Sequence, residues 1–169
     1  MRHQATGPAD LVLTPRGLRF VGRYWPCSIG RGGIKVNKRE GDGATPRGTH
    51  AITGMLYRPD RIARPVPWAV PVRRGDLWSD DPRDPEYNLM VRAPHRYSHE
   101  RLWRGDTLYD LVLLTDWNWP HSTPGQGSAI FLHRWRRLGY ATEGCVALSP
   151  GNLLRIAQRI TPGSRLIVA

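Results

Sequence analysis

Residues 108–133 read LYDLVLLTDWNWPHSTPGQGSAIFLH, two apolar segments (108–115 and 128–133) on either side of a loop with two prolines and two glycines. Both segments are short, partly β-branched and bounded by turn residues, which is the pattern of buried strands and too short for helices. The pattern repeats outward. Residues 11–13 and 18–21 flank Thr14-Pro15-Arg16-Gly17, a hairpin turn, and 24–29, 51–55 and 165–168 read as further strands. One helix is expected over 150–160. Ser149 is a good N-cap and Pro150 suits the first helical position, while Leu153, Leu154, Ile156, Ala157 and Ile160 share an apolar face that Thr161-Pro162-Gly163 ends. Residues 57–104 show little periodicity, and so long an irregular stretch reads as a lid or binding loop. The predicted fold is mainly β, a mixed β-sheet sandwich with at least one packed helix and a long irregular insertion.

The chain has 169 residues, of which 40% are hydrophobic, enough for one domain over 1–169 with a real core and against intrinsic disorder. With 18 glycines and 15 prolines it exceeds the roughly 12% of average usage, which favours many turns and short strands. No stretch approaches the ~18 apolar residues of a membrane span, and the opening MRHQATGPADLVLTP shows no signal-peptide core. The net charge of +11 is carried almost wholly by arginines scattered along the chain. The nearest cluster, Arg31, Lys35, Lys38 and Arg39, reads as a solvated basic surface. Zinc-finger spacing, an aromatic RNA-binding signature and a basic heptad helix are all missing from the sequence, so nucleic acid is not an expected partner.

Chemistry concentrates in Thr142-Glu143-Gly144-Cys145-Val146-Ala147-Leu148. A cysteine directly after a glycine, at the start of an apolar strand, sits where the backbone turns and can leave amide hydrogens beside the sulfur as oxyanion donors. The candidate base is His133, which ends the 128–133 strand; a neighbouring imidazolium would lower the thiol pKa and supply thiolate. Cys27, flanked by Trp25, Pro26 and Ile29, reads as a packing residue, and two cysteines leave room for one disulfide at most. His121 and His133 with Asp116, and His95 with His99, are the only metal-like groupings. Pro94 argues against the helix that the second pair would need, and no metal or cofactor is expected.

The segments KREGDGATPRG (38–48), GSAIFLH (127–133) and TEGCVAL (142–148) together resemble the L,D-transpeptidase family, whose YkuD-like catalytic domain acts on bacterial cell walls. The resemblance spans about 23–168. It implies Cys145 as nucleophile, His133 as general base, Gly144 as the glycine before the nucleophile, and the Gly144 and Cys145 amides as oxyanion donors. It also implies the Arg134 carbonyl as the group that orients the imidazole. Three departures stand out: Glu143 replaces the family's usual histidine, Ala147 replaces its usual arginine, and the interval from His133 to Cys145 is short. A carboxylate cannot donate to an oxyanion but can hold a substrate ammonium, so Glu143 is expected to read an amine; the resemblance implies cross-links between stem residues 3 and 3 or, in a divergent branch, 1 and 3.

The implied partners are peptidoglycan stem peptides, whose free carboxylates suit Arg136 and Arg137. Thr142 completes the expected binding rim, and Trp119, in the DWNWP loop, is placed to stack on sugar rings. The loop at 38–48 reads as a rigid turn or as a wall of the site entrance. A carbapenem adduct at Cys145 and a periplasmic location are further implications of the resemblance. Two alternatives stay open: the same thioester ending in hydrolysis, as a carboxypeptidase or endopeptidase, or a basic domain that binds cell wall or nucleic acid without turnover.

Overall fold

The structure, a computed structural model, describes residues 6–169; Met1 to Ala5, at the start of the charged opening, lie outside the described residues. In chain order the strands are β1 (Leu11–Thr14), β2 (Gly17–Phe20), β3 (Arg23–Trp25), β4 (Cys27–Ser28), β5 (Ile34–Lys35), β6 (Thr45–Pro46), β7 (Gly48–Tyr57) and β8 (Val70–Pro71). They continue with β9 (Asp76–Ser79), β10 (Met90–Arg92), β11 (His99–Arg101), β12 (Leu111–Thr115), β13 (Phe131–Arg134) and β14 (Val146–Leu148), then α1 (Pro150–Ala157) and β15 (Arg165–Val168). The fold is mainly β with one helix, as the sequence predicts.

The main sheet runs β3-β2-β1-β15-β7-β12-β13-β14-β4, with β8 beside β7. It is mixed: β1 with β15, β7 with β8, and β13 with β14 are parallel, and the other pairs are antiparallel. Its two end strands, β3 and β4, are separated in the chain only by Pro26. The sheet therefore curls until its edges meet at a residue that lacks an N–H to donate. That proline also splits the single strand expected at 24–29.

The two faces of the sheet carry different cores. Leu132, Val146 and Leu148 face Leu153, Ile156 and Ala157 of α1, together with Leu11, Leu18 and Ile52. Phe131 and Cys145 face the other way, with Trp78, Leu102 and Tyr109. Each fully buried Leu or Ile contributes roughly 1.5–3 kcal/mol, so α1 is held mainly by this face. The Ser149 hydroxyl caps α1 by accepting from the Asn152 amide at 3.4 Å. The helix ends at Ala157, three residues before the expected boundary, because the chain turns at Gln158; Ile160 stays buried beyond the turn.

The stretch expected to be irregular contains a three-stranded antiparallel sheet, β10-β9-β11. All four residues of β9 are buried, so alternation is lost there. Two of them are polar and satisfied internally: Asp76 accepts from the Arg73 amide at 2.7 Å and from Arg92 at 2.6 Å, and the Ser79 hydroxyl donates to Asp84 at 2.5 Å. No helix among the described residues is long and apolar enough to cross a membrane.

Candidate active site

The parallel pairing of β13 with β14 places the chemistry. Leu132 lies beside Val146 and His133 beside Ala147, so the ladder extends back to put Phe131 beside Cys145. Side chains two apart on a strand share a face, so Phe131, His133 and Cys145 all point to the same side. Two residues advance ~6.6 Å along a strand and neighbouring strands are ~4.8 Å apart, which sets the His133 and Cys145 backbones ~8 Å apart on the diagonal. Both side chains line one cavity of about 560 Å³.

The turn before Cys145 requires a glycine at 144. Its φ is +143°, and a Cβ there would lie 2.7 Å from the Ala44 carbonyl oxygen and 3.1 Å from Ile130 Cδ1. The loop at 38–48 provides that snug contact. Thr45 accepts from the Gly30 amide at 2.9 Å and donates to the Gly144 carbonyl at 2.8 Å. Asp42 braces the loop from inside. Burial pushes its carboxyl up, but the amides of Ala44 and Arg39 and the Lys38 ammonium outweigh this and hold it at about 2. Lys38 is buried, 3.0 Å from Asp42, so the expectation of a solvated basic cluster fails at this residue: an internal ion pair draws it inward, where it lines the cavity.

The Cys145 thiol donates to the Ala129 carbonyl at 3.1 Å and its sulfur accepts from the Phe131 amide at 3.4 Å. Among the described residues no hydrogen bond joins it to the His133 ring. Burial, then the charge of Glu100, push the thiol up to about 12 against the opposing Phe131 amide and Lys38. Burial pushes the His133 imidazole down to about 4, opposed by its bond to the Arg134 carbonyl at 2.6 Å. Burial thus favours thiol and neutral imidazole over the thiolate–imidazolium pair expected from sequence, because it disfavours both charges. A carbonyl can only accept, so Nδ1 carries the ring proton and Nε2 is left as the basic nitrogen. The Tyr109 ring meets the imidazole edge-on at 5.3 Å.

The other residues singled out in the sequence are distributed unevenly. The Arg134 side chain turns away to Asp110 at 2.5 Å, where Arg61 joins it at 2.8 Å. The Thr142 hydroxyl donates to the Cys145 carbonyl at 2.6 Å and accepts from the Gly144 amide at 3.1 Å, which takes that amide out of the expected oxyanion pair. Glu143 is bonded to Arg31, with both oxygens 2.9 Å from Nε, so its carboxylate already has a cation partner. Arg136 lines the cavity, whereas Arg137 stacks on Tyr140 at 5.1 Å and Trp119 lies off the cavity wall. Both cysteines are free thiols, so the disulfide left open by the sequence is not formed. Among the described residues no group of three or more His, Cys, Asp or Glu is placed to hold a metal ion.

Sequence reasoning missed Glu100, Tyr109 and Asp80, which also wall the cavity. Glu100 and Asp80 come from the stretch without visible periodicity, and Tyr109 was visible only as an aromatic at the edge of a strand.

A curled mixed sheet presenting a cysteine and a histidine from adjacent parallel strands defines a candidate thiol acyl-transfer site. The family model of the YkuD L,D-transpeptidase catalytic domain matches residues 11–168, and the chain belongs to this family. Among solved structures, an L,D-transpeptidase from Mycobacterium smegmatis is similar at 19% identity and a TM-score of 0.44, over 95% of this chain and 57% of that one. This chain thus spans little more than half of that protein's length. No curated protein matches it.

Proposed function

We propose that the chain is a single catalytic domain that cross-links peptidoglycan stem peptides through a Cys145 thioester, in the periplasm. The observation that carries this reading is the presence of Cys145 and His133 on one face of adjacent parallel strands, opening into one cavity. The proposed sequence begins with transfer of the thiol proton to His133 Nε2 as the sulfur attacks the donor carbonyl. The Cys145 amide is the remaining candidate donor to the oxyanion, since Thr142 holds the Gly144 amide. Collapse breaks the C–N bond, and the imidazolium returns its proton to the leaving amine. An acceptor amine then attacks the thioester, gives its proton to His133, and expels the sulfur as a thiolate, which takes that proton back from the imidazolium. Tight hydrogen bonding of Nδ1 to Arg134 supports this role by keeping the ring in one tautomer.

Arg136 is proposed to grip a stem carboxylate and Glu143, with Arg31, to line the rim where an amine enters; the joined residues are 3 and 3, or 1 and 3. The test is incubation with a disaccharide tetrapeptide and mass spectrometry of the products. A cross-linked dimer whose formation needs Cys145 supports the reading. Exclusive gain of water identifies a hydrolase, and no turnover together with no carbapenem adduct at Cys145 overturns the enzymatic reading.

A further inference from the structure

Two backbone groups of one short segment hold the Cys145 sulfur: the Phe131 amide donates to it at 3.4 Å, and the Ala129 carbonyl accepts its proton at 3.1 Å. Phe131 is fixed by the pairing of β13 with β12. Ala129 precedes that strand, and its φ is +52°, a left-handed conformation that a residue with a Cβ resists. A partner outside the segment holds it there. The Ala129 amide donates to Asn88 Oδ1 at 3.0 Å, and Asn88, in the turn between β9 and β10, is 2% exposed. The same Oδ1 accepts from Trp78 Nε1 at 3.0 Å, while Nδ2 donates to the carbonyls of Trp117 at 3.0 Å and Asn118 at 2.7 Å. Two N–H groups face the oxygen and two carbonyls face the nitrogen, so the side-chain amide has one orientation and no spare bond.

We infer that Asn88 is a positioning residue for Cys145: by holding Ala129 left-handed it aims that residue's carbonyl at the thiol and fixes where the sulfur sits in the cavity wall. The inference rests on the reading of Cys145 as the reacting group but not on any particular substrate. Ala129 and Cys145 line the cavity and Asn88 does not, so Asn88 acts through the Ala129 peptide, along a chain of two hydrogen bonds. Without the bond at its amide, Ala129 relaxes out of the left-handed region. Its carbonyl then turns from the sulfur, and the thiol keeps only the longer bond to Phe131.

The experiment reads the infrared S–H stretching band of Cys145 in the full chain, identified as the band that Cys145→Ala removes. A thiol that donates to a carbonyl absorbs at lower wavenumber than one that donates to nothing. Asn88→Gly suits the positive φ at 88 and deletes the side-chain amide, so the Cys145 band is expected to move to higher wavenumber while that of the half-buried Cys27 thiol stays. Adding Ala129→Gly is expected to bring the Cys145 band part of the way back, because glycine adopts a positive φ without being held. An unmoved or lowered Cys145 band in Asn88→Gly, an equal move of both thiols, or no return in the double variant overturns the inference. Should Asn88→Gly fail to fold, Asn88→Ser decides. Its hydroxyl ends one atom short of the Ala129 amide, so the same move is expected and an unmoved band overturns the inference. The band is read without substrate, so a band that moves as expected in a protein that makes no cross-linked product overturns the proposed function alone.

Discussion

The hydroxyl of Thr45 donates to the carbonyl of Gly144 at 2.8 Å, bolting the residue before Cys145 to a strand 99 positions earlier in the chain. Ala44 lies against the same glycine, so the peptide leading into Cys145 is clamped between β6 and the cavity wall. Under the proposed function, a side chain held this way has little orientational freedom to lose when substrate binds, which is what pre-organisation of a reacting atom requires.

Gly144→Ala tests the clamp. The substitution combines a left-handed φ with a Cβ inside the contact distance of Ala44, and it is expected to cost about 1–3 kcal/mol, read as a lowered midpoint in urea unfolding. Activity falls further than stability does, because the displaced atom is next to the sulfur.

Cys145→Ala should fold with a stability change of about 1 kcal/mol, since a small buried side chain loses only one heavy atom. Cross-linked product and carbapenem adduct should both vanish in mass spectra. A variant that still forms either one refutes the assignment of the nucleophile.

His133→Gln should lower the rate of cross-linking by about 10²–10⁴-fold, the usual contribution of a positioned base. Steady-state kinetics on the tetrapeptide substrate check this.

Acid stability should decline in two stages. His133 is held neutral down to about 4 in the native state, so below its ordinary value of 6.5 the unfolded chain binds a proton that the fold refuses, and stability falls as pH drops towards 4. Asp42 and Asp106 are held at about 2, the latter first by Arg104, and their contribution is lost as pH falls from 3.8 towards 2. Thermal melts of His133→Gln should lack the first stage and keep the second. On the alkaline side the native thiol stays protonated up to about 12, so stability falls as pH rises beyond 9 and Cys145→Ala removes that loss.

Glu143→Ala should leave the melting temperature unchanged, because both members of its pair with Arg31 are well exposed. If the carboxylate helps to read a substrate amine, turnover drops by about tenfold. A loss no greater than that of Arg159→Ala, in the turn after α1, disposes of that role.

The sequence made the spine of the sheet legible where apolar residues had no competing demand. Leu111, Val112 and Leu113 in β12 and Phe131 and Leu132 in β13 are buried as their pattern predicts. The helix was legible from Ser149 and Pro150, but not its last turn. What stayed hidden was set by partners remote in sequence. Asp76 and Ser79 look like loop residues until Arg92 and Asp84 satisfy them inside a sheet. Lys38 reads as surface charge until Asp42 draws it inward. His133 and Cys145 were recognisable as reactive types, yet the push on their charges comes first from burial, which no local pattern reveals.

The parallel register between β13 and β14 has a consequence for how the chain tolerates change. Residues 136–141 arch between Trp135, whose amide is bonded to Leu148, and Thr142, whose amide is bonded to Ile29, and can gain or lose length without moving either strand. The short span from Cys145 to Leu148 has no such latitude. One extra residue there would rotate the sulfur through half a turn of the pleat and bury it against Leu153 and Ile156, in a grease-filled layer that solvent never reaches.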